Sequence, residues 1–359
     1  MYLQNALLPL TSLLWATTSQ ALNITISQPD VAFAPSPLPP SHTQSDGNAF
    51  VSLFQSLGRT TVWTLISATP FSGSTWEPEG LIRLGPDRYI VSCGEYTSPT
   101  VKYPNSLIII GTDRSAGAGF AHLVVFSSNG SRIADATLTA PGAVEYHTGG
   151  LDYDGEWIWA TLAQYRPNST ATVIKIDPST LESEEVLRYD DHLGGIVHDV
   201  DESSVTALNW GGRNATRFRL PGGCSHAPTQ SPSPSQSTPR KIKTVRNPSY
   251  YVDYQDCKFR GHVAAYQGRA VMLCSGVATI GSTATGTFNL GGIAIVDVET
   301  MVPLDEVPIT MTSELGVPVT QNPVDVAVVD GKLRLYWLPD QHNSTLYVYE
   351  AQPDSPYEY

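Results

Sequence analysis

The sequence predicts an all-β protein with the fold of a β-propeller, in which four-stranded antiparallel blades stand around a central axis. The segment from His147 to Tyr189 reads as four short strands joined by turns, which is the content of one blade. Its part TVIKIDPSTLESEEV, starting at Thr172, has a counterpart in GIAIVDVETMVPLDEV, starting at Gly292, and such an internal repeat indicates stacked units. With 29 Gly, 27 Pro and 15% charged residues, the chain is rich in turns and shows no sustained helical periodicity.

Aligned on their turns, five units of this kind follow one another along the chain. They begin near Glu79, His147, His192, Arg260 and Asn322. The fifth unit lacks a fourth strand, and the unpaired strand TTVWTLISA from Thr60 to Ala68 is predicted to supply it and close the ring. An insertion from Tyr96 to Gly119 has room to hide a further blade. We therefore count five blades, with six possible.

The chain outside the blades divides into three segments. Residues 1–21 combine an apolar run from Ala6 to Trp15 with a small-residue cleavage pattern and are predicted to be a signal peptide. Residues 22–58 form a predicted N-terminal arm, and residues 59–359 a single propeller domain with a disordered insertion around 224–240. The apolar run is too short to span a bilayer, so no stable membrane span is expected. The protein is accordingly expected in the secretory pathway, secreted or lumenal.

Sequons and cysteines agree with that compartment. Predicted glycosylation sites are Asn23, Asn129, Asn168, Asn214 and Asn343. The chain has four cysteines, which allow one or two disulfides and three connectivities if all of them pair. Of the possible pairs, Cys224 with Cys257 is predicted, because it would tie down the loop between them. No two cysteines have zinc-ligand spacing.

Charge and missing motifs exclude several function classes. The formal net charge of −13 argues against binding to nucleic acid or to an anionic membrane, since both need a basic face. The sequence contains no GxSxG elbow, no P-loop, no HExxH and no dinucleotide-binding GxGxxG after a strand. No cofactor and no resident metal are predicted.

The residues where each innermost strand begins should meet at the mouth of the central channel. Those positions hold Glu79, His147, His192, Arg260 with His262, and Asn322 with Asp325. Glu79 is a candidate general acid, base or calcium ligand. His147 and His192 both stand just before a Gly-Gly pair, where backbone can approach a ligand, and each can donate a hydrogen bond or carry a proton. The alternative is that these groups only bond one another and channel water.

Further candidates lie at the ends of the second strands, under the loops that cover the mouth. Arg166 is a candidate for binding an oxyanion or enolate. The predicted substrate-binding residues are Tyr96, Tyr165, Asn209, Trp210, Arg260, His262 and Trp337, with Asp340 at the equivalent place in the fifth unit. For the aromatic residues the alternative is packing between blades. Together the groups predict a concave small-molecule site.

Five segments resemble one family of fungal secreted propellers, the domain of unknown function 6454 family. These segments are EGLIRLG at 79–85, HTGGLDYDG at 147–155, AQYRPNST at 163–170, RYDDHLGGIVHD at 188–199 and ALNWGGR at 207–213. The resemblance covers most of residues 70–350. It implies a propeller that resembles the hetero-Diels–Alderases of tropolone sesquiterpenoid pathways, which couple a tropolone-derived ortho-quinone methide to a humulene-type terpene.

That chemistry suits a channel without cofactors, because two reactants held in near-attack geometry gain most of their acceleration from orientation. Arg166, His147, His192 and Tyr165 are the candidate donors to the tropolone oxygens, and Glu79 or a histidine the acid that assists loss of water from a hydroxymethyl precursor. Two alternatives stay open. One is a metal-dependent, lactonase-like hydrolase, with calcium held by Glu79, Asn209 and Asp256. The other is a secreted propeller that binds a ligand without turnover.

Overall fold

A computed structural model describes residues 23–221, 238–282 and 284–352. It is a five-bladed β-propeller with four-stranded antiparallel blades, 52% strand and 7% helix. The predicted fold class is therefore confirmed. The predicted signal peptide and most of the predicted insertion around 224–240 lie outside the described residues, and Arg240 at the end of that insertion already belongs to a strand.

Twenty-two strands and two helices are described. The strands of the first half are β1 (Asn23–Ile26), β2 (Val62–Pro70), β3 (Glu77–Leu84), β4 (Arg88–Ser98), β5 (Ala118–Ser127), β6 (Arg132–Thr137), β7 (His147–Thr148), β8 (Asp152–Tyr153), β9 (Ile158–Ala163), β10 (Ala171–Ile176) and β11 (Ser183–Tyr189). Those of the second half are β12 (Ile196–Asp199), β13 (Ser204–Leu208), β14 (Asn214–Arg219), β15 (Arg240–Arg246), β16 (Asp253–Val263), β17 (Arg269–Ser282), β18 (Gly286–Asp297), β19 (Pro303–Ile309), β20 (Val324–Val329), β21 (Lys332–Trp337) and β22 (Thr345–Gln352). The helices are α1 (His42–Ser45) and α2 (Gly47–Phe54).

From the axis outward, blade 1 consists of β3 to β6, with β1 added at its outer edge. In blade 2 the short strands β7 and β8 both pair with β9 and together form the innermost strand, and β9, β10 and β11 follow outward. Blade 3 is β12 to β15, blade 4 is β16 to β19, and blade 5 is β20 to β22 followed by β2. The pairing of β2 with β22, from Val62 opposite Gln352 to Pro70 opposite Thr345, confirms that an N-terminal strand closes the ring.

The insertion from Tyr96 to Gly119 does not hold a sixth blade. Strand β4 already runs to Ser98 and β5 begins at Ala118. In the described part of the chain, the residues between them form a loop with a short 3-10 turn and two isolated bridges. We name residues 99–117 the insertion loop.

The core is divided among the interfaces between neighbouring blades, because both faces of each blade are covered. In blade 1, Leu81 and Val91 pack toward blade 5, whereas Ile82 and Ile90, which point to the other face, pack toward blade 2. Similar clusters join blades 2 and 3, 3 and 4, and 4 and 5. Trp337 is fully buried in the cluster between blades 4 and 5.

Three buried aspartates pair the inner edges of the blades. Asp152 accepts hydrogen bonds from the backbone N–H groups of His198 and Phe259, in blades 3 and 4. Asp256 accepts from Leu81 and Val324, in blades 1 and 5. Innermost strands have a free edge whose N–H groups need acceptors, and these carboxylates supply them across the axis.

Asp325, the third of these aspartates, links the inner strands to the N-terminal arm. It accepts from the backbone of Arg83 and lies 2.8 Å from His42 Nε2 of α1. Asp46, next in the arm, pairs with Arg260 at 2.6 Å and accepts from the backbone N–H of Val328. The arm therefore lies against the end of the channel at which the inner strands finish.

The disulfide differs from the predicted one. Cys257 bonds to Cys274, its direct neighbour across β16 and β17, with Cα atoms 4.1 Å apart. The predicted Cys224–Cys257 pair is therefore wrong for Cys257, and Cys224 lies outside the described residues. Cys93 is buried as a free thiol.

The predicted sequons stay predictions. Four of their asparagines, Asn23, Asn129, Asn168 and Asn343, are exposed, and Asn214 is half-buried. Within the described residues, no helix is long and apolar enough to cross a membrane.

Candidate active site

A cavity of about 260 Å³ opens on the axis at the face where the inner strands begin. We name it the axial pocket. Its lining residues are Glu77, Glu79, His147, Tyr165, His192, Gly194, Gly195, Asn209, Trp210, Gly211, Asp253, Tyr254, Gln255, Gln321, Asn322 and Gln341. A wider hollow of about 560 Å³ lies between blades 2 and 3 beside Pro221. The axial pocket gathers three carboxyls and two imidazoles and is the better candidate for chemistry.

Glu77 and Glu79 stand two residues apart at the start of β3. Glu79 is 8% exposed, and among the described residues its carboxyl makes no hydrogen bond. Glu77 Oε1 accepts two hydrogen bonds, from Tyr165 Oη at 3.4 Å and from Gln341 Nε2 at 3.1 Å. Glu77 Oε2 is buried without a described partner. Burial raises the pKa of Glu77 to about 7, and burial with the neighbouring Glu77 and Asp256 charges holds the pKa of Glu79 well above its usual value.

The two imidazoles of the pocket are held neutral. Burial lowers the pKa of His192 to about 4, and burial together with the nearby His192 lowers the pKa of His147 well below its usual value. His192 Nδ1 lies 2.8 Å from the carbonyl oxygen of Gln164 and therefore donates to it, which leaves the lone pair on Nε2.

A neutral acid faces a neutral base in this pocket. His147 Nε2 lies 4.0 Å from Glu79 Oε2, and His147 Nδ1 is buried without a described partner. This distance would suit an ion pair, but the opposite pKa shifts of the two groups leave both uncharged. The pair can thus donate one proton and accept another without first being activated.

The Gly-Gly pairs that follow His147 and His192 let the backbones of blades 2 and 3 approach each other closely. A Cβ on Gly149 would stand 1.8 Å from the carbonyl oxygen of Gly194, and Gly150 N–H donates to that same oxygen at 2.9 Å. The Gly-Gly pairs therefore serve backbone contact between blades, and of the four only Gly194 and Gly195 also line the pocket.

Aromatic rings form one wall of the pocket. The Tyr165 ring lies 4.6 Å from that of His147, and Trp210 lies 5.3 Å from Tyr165 and 4.9 Å from His192, measured between centroids. Arg114, from the insertion loop, places its guanidinium 4.8 Å from the Trp210 ring. The insertion loop therefore reaches from blade 1 to the wall of the pocket.

Of the residues predicted from the sequence, the structure brings together seven in the lining: Glu79, His147, His192, Tyr165, Asn209, Trp210 and Asn322. Tyr96 lies just behind them, 5.6 Å from the Tyr165 ring. Arg166 is directed elsewhere: its Nε donates to Gln164 and its Nη1 to the carbonyl oxygen of Arg114 at 3.4 Å. It supports the insertion loop.

The structure places the other candidates apart from the pocket. Arg260 is buried at the far end of the channel with Asp46, and His262 lies on the opposite face, 3.1 Å from Asp199. Trp337 is buried between blades. Asp340 accepts a hydrogen bond from Ser313 and is also outside the lining. An alignment of the repeats on their turns does not separate the two ends of a strand.

Some pocket residues were missed by the sequence analysis. Glu77 could have been found from the segment WEPEG, because side chains two apart on a strand share a face. Gln321, Gln341 and Arg114 carry no such signal, since they come from loops whose path depends on the whole ring.

One set of ligand atoms in the pocket fits a divalent cation. Glu77, Glu79 and His147 each offer an atom, all within 4.8 Å of one another. Asp256, which the sequence analysis considered as a calcium ligand, is instead buried against Lys258 at 2.6 Å and is not in the lining. A second set, Asp199, Asp201 and His262, lies on the opposite face.

Comparisons with known proteins give a family and weak structural likenesses. A family model described as "Family of unknown function (DUF6454)" matches residues 41–354. No curated protein matches in sequence.

Three solved structures are similar to this chain. A luciferin-regenerating enzyme has 10% identity and a TM-score of 0.40, covering 80% of this chain and 95% of its own. The calcium-binding protein regucalcin from Agrobacterium tumefaciens has 10% identity and a TM-score of 0.39, covering 80% of this chain and 96% of its own. MPT-4, a mannose phosphorylase from Leishmania mexicana, has 9% identity and a TM-score of 0.41, covering 79% of this chain and 88% of its own. Likenesses at these TM-scores assign no function to this chain.

Proposed function

Because the chain belongs to the DUF6454 family, whose function is unknown, we propose its function from the axial pocket: it is a hetero-Diels–Alderase that couples a tropolone-derived ortho-quinone methide with a humulene-type sesquiterpene. The observation that carries the proposal is the neutral Glu79 carboxyl facing the neutral His147 imidazole, 4.0 Å apart in a buried pocket. The resemblance of the five sequence segments supplies the substrate class.

The acid and the bases suit the formation of the quinone methide. The Glu79 carboxyl protonates the hydroxyl of a hydroxymethyl tropolone, the C–O bond breaks and water leaves. His192 Nε2, or His147, takes the proton of the ring hydroxyl, so that the ring oxygen becomes the carbonyl of the heterodiene. The histidine then returns this proton to Glu79, and the net change is the loss of one water molecule. For His147, whose Nε2 lies 4.0 Å from Glu79 Oε2, this return passes through one water molecule, since the gap is longer than a direct hydrogen bond.

The cycloaddition itself requires orientation and no proton transfer. The heterodiene and an alkene of the terpene form one C–O and one C–C bond together. At about 260 Å³ the pocket is slightly below the ~300–1,000 Å³ usual for ligand sites. We therefore assign the tropolone ring to the pocket, against Tyr165 and Trp210, and the terpene to the open mouth.

The test incubates the protein with a hydroxymethyl tropolone and humulene, and follows adducts by chiral chromatography. We expect formation of one stereoisomer faster than in buffer, unaffected by chelator. Glu79→Gln and His147→Ala should each lower the rate about 10²–10⁴-fold, the usual share of a general acid or base. His262→Ala, a histidine on the opposite face, is the matched control. Adducts at the buffer rate would overturn the proposal.

A second candidate, a metal-dependent hydrolase of the lactonase type, is favoured by one observation: the Glu77, Glu79 and His147 ligand atoms lie within 4.8 Å of one another. A divalent cation there would ionise both carboxyls and bind the carbonyl oxygen of a lactone. This candidate predicts hydrolysis that a chelator abolishes and an added divalent cation restores. The chelator arm therefore separates the two candidates.

A further inference from the structure

Exposed apolar side chains are concentrated on the face that bears the axial pocket. The described residues include seventeen exposed large hydrophobic side chains, and ten of them lie on this face, eight in connections and two in the hairpin of β17 and β18. These ten, which we name the apolar rim, are Val101, Leu107, Ile108, Ile109, Ile110, Val144, Tyr250, Ile280, Phe288 and Leu315. Only Val200 and Val302 lie in connections on the opposite face.

The strand directions establish this placement. Each inner strand begins at the pocket, so the second and third strands of a blade are joined on the pocket side, as are neighbouring blades. The insertion loop joins β4 to β5, and the hairpin that carries Ile280 and Phe288 joins β17 to β18. Tyr250 and Leu315 lie between blades, just before β16 and in the approach to β20.

The rim residues project outward. Ile110 is 94% exposed, Leu315 73%, Tyr250 69% and Phe288 60%. Ile280 and Phe288 stand directly opposite each other across their hairpin. Ile110 also has a φ of 50°, in the left-handed region that β-branched residues avoid. A strained, exposed isoleucine is costly in a free protein, and strain of this kind is typical of functional positions.

The charge of the rim segments and of the whole chain indicates which kind of surface the apolar rim would bind. Residues 104–112, 247–252 and 278–290, which carry most of the rim, contain no charged residue. The whole chain has a formal net charge of −13, which disfavours approach to an anionic surface. Tyr250 contacts Arg213 and Arg246, but the segments at 104–112 and 278–290 carry no charge of their own. Protruding apolar tips on such uncharged segments suit insertion among uncharged or zwitterionic lipids.

We propose that the apolar rim docks the protein on a zwitterionic lipid bilayer, with the axial pocket facing the membrane. Several loop tips from blades 1 and 4 and from the connections between blades then insert into the interfacial region together. The described residues stay on one side of the bilayer in this arrangement. The proposal does not depend on the activity of the pocket.

The experiment floats the full chain with phosphatidylcholine vesicles and compares matched double variants. Wild type should partition to the vesicles, and Ile110→Ser with Phe288→Ser should weaken partitioning about tenfold or more, because two inserted apolar side chains are lost. Val200→Ser with Val302→Ser, on the opposite face, should partition as wild type does. Phosphatidylserine vesicles should bind less, owing to the protein's negative charge.

Three outcomes would overturn the proposal. The first is that wild type does not float at excess lipid. The second is that both double variants lose vesicle binding to the same extent. The third is a dimer in sedimentation velocity that the rim variant abolishes without any flotation, which would make the rim an interface between copies. Thermal unfolding of each variant checks that the fold is kept. Flotation needs no substrate, so its result leaves the proposed activity untouched.

Discussion

Removal of the Asp256 carboxylate should destabilise the protein by several kcal/mol. Asp256 Oδ2 lies 2.6 Å from Lys258 Nζ and 3.3 Å from the N–H groups of Leu81 and Val324, and the side chains of Asp256 and Lys258 are completely buried. Breaking a buried ion pair by removing one partner costs about 3–5 kcal/mol. Each buried N–H group left without an acceptor costs about 1–3 kcal/mol more, though such costs do not simply add.

The free energy of unfolding is expected to fall by at least about 3–5 kcal/mol in Asp256→Ala, a large part of the ~5–15 kcal/mol of a typical domain. Urea unfolding above pH 7 measures it, because burial raises the pKa of Asp256 to about 7, above which this carboxyl is ionised. Asp30→Ala, at an exposed aspartate, is the control and should change stability by less than about 0.5 kcal/mol.

A double variant distinguishes the ion pair from simple loss of packing. Asp256→Ala with Lys258→Met leaves no buried charge without a partner and should be less destabilised than Asp256→Ala alone. A loss below about 1 kcal/mol in the single variant, which is the ordinary cost of a point mutation, would show that the buried carboxylate is not needed for stability. A double variant that is as unstable as the single one would contradict the ion-pair explanation.

Three further predictions concern the pocket, the blade contact and the disulfide. The kcat/KM of the coupling should rise with pH through about 4, as His192 becomes neutral, and should stay high as Glu77 ionises near pH 7, because the Glu77 charge raises the pKa of the acid Glu79 further; a profile without the rise at low pH would contradict this. Gly149→Ala should lower the urea midpoint by an amount equivalent to about 1–3 kcal/mol, because its Cβ would meet a backbone oxygen at 1.8 Å. Peptide mapping without reduction should recover Cys257 linked to Cys274, and any other partner for Cys257 would contradict the structure.

The fold could be predicted from the sequence because a blade is a local unit. Strands, turns and their repeat are encoded within about 45 neighbouring residues, so the pattern at His147 could be found again elsewhere. The unpaired strand near Thr60 was informative for the same reason, since an edge without a partner requires one. The partner of Cys257 was not predictable in this way, because sequence does not show which residue stands opposite in the ladder.

The site was predictable only in part. Glu79, His147 and His192 occupy the same position in their repeats, and repeated positions meet around an axis. Arg260 and His262 belong to the same strand but lie at its far end, where the N-terminal arm and Asp199 bind them. Strand β16 has eleven residues and two register shifts, so a small error of alignment moves a side chain from one face of the propeller to the other.

The stereochemistry of the adduct is the most direct test of the proposed cycloaddition, because buffer cannot favour one mirror image. The measurement compares the ratio of enantiomers formed from a hydroxymethyl tropolone and humulene with wild type, with Glu79→Gln and without protein. We expect a strong excess of one enantiomer with wild type, formed far more slowly by Glu79→Gln. Equal amounts of both enantiomers at the rate seen in buffer would contradict the proposed cycloaddition.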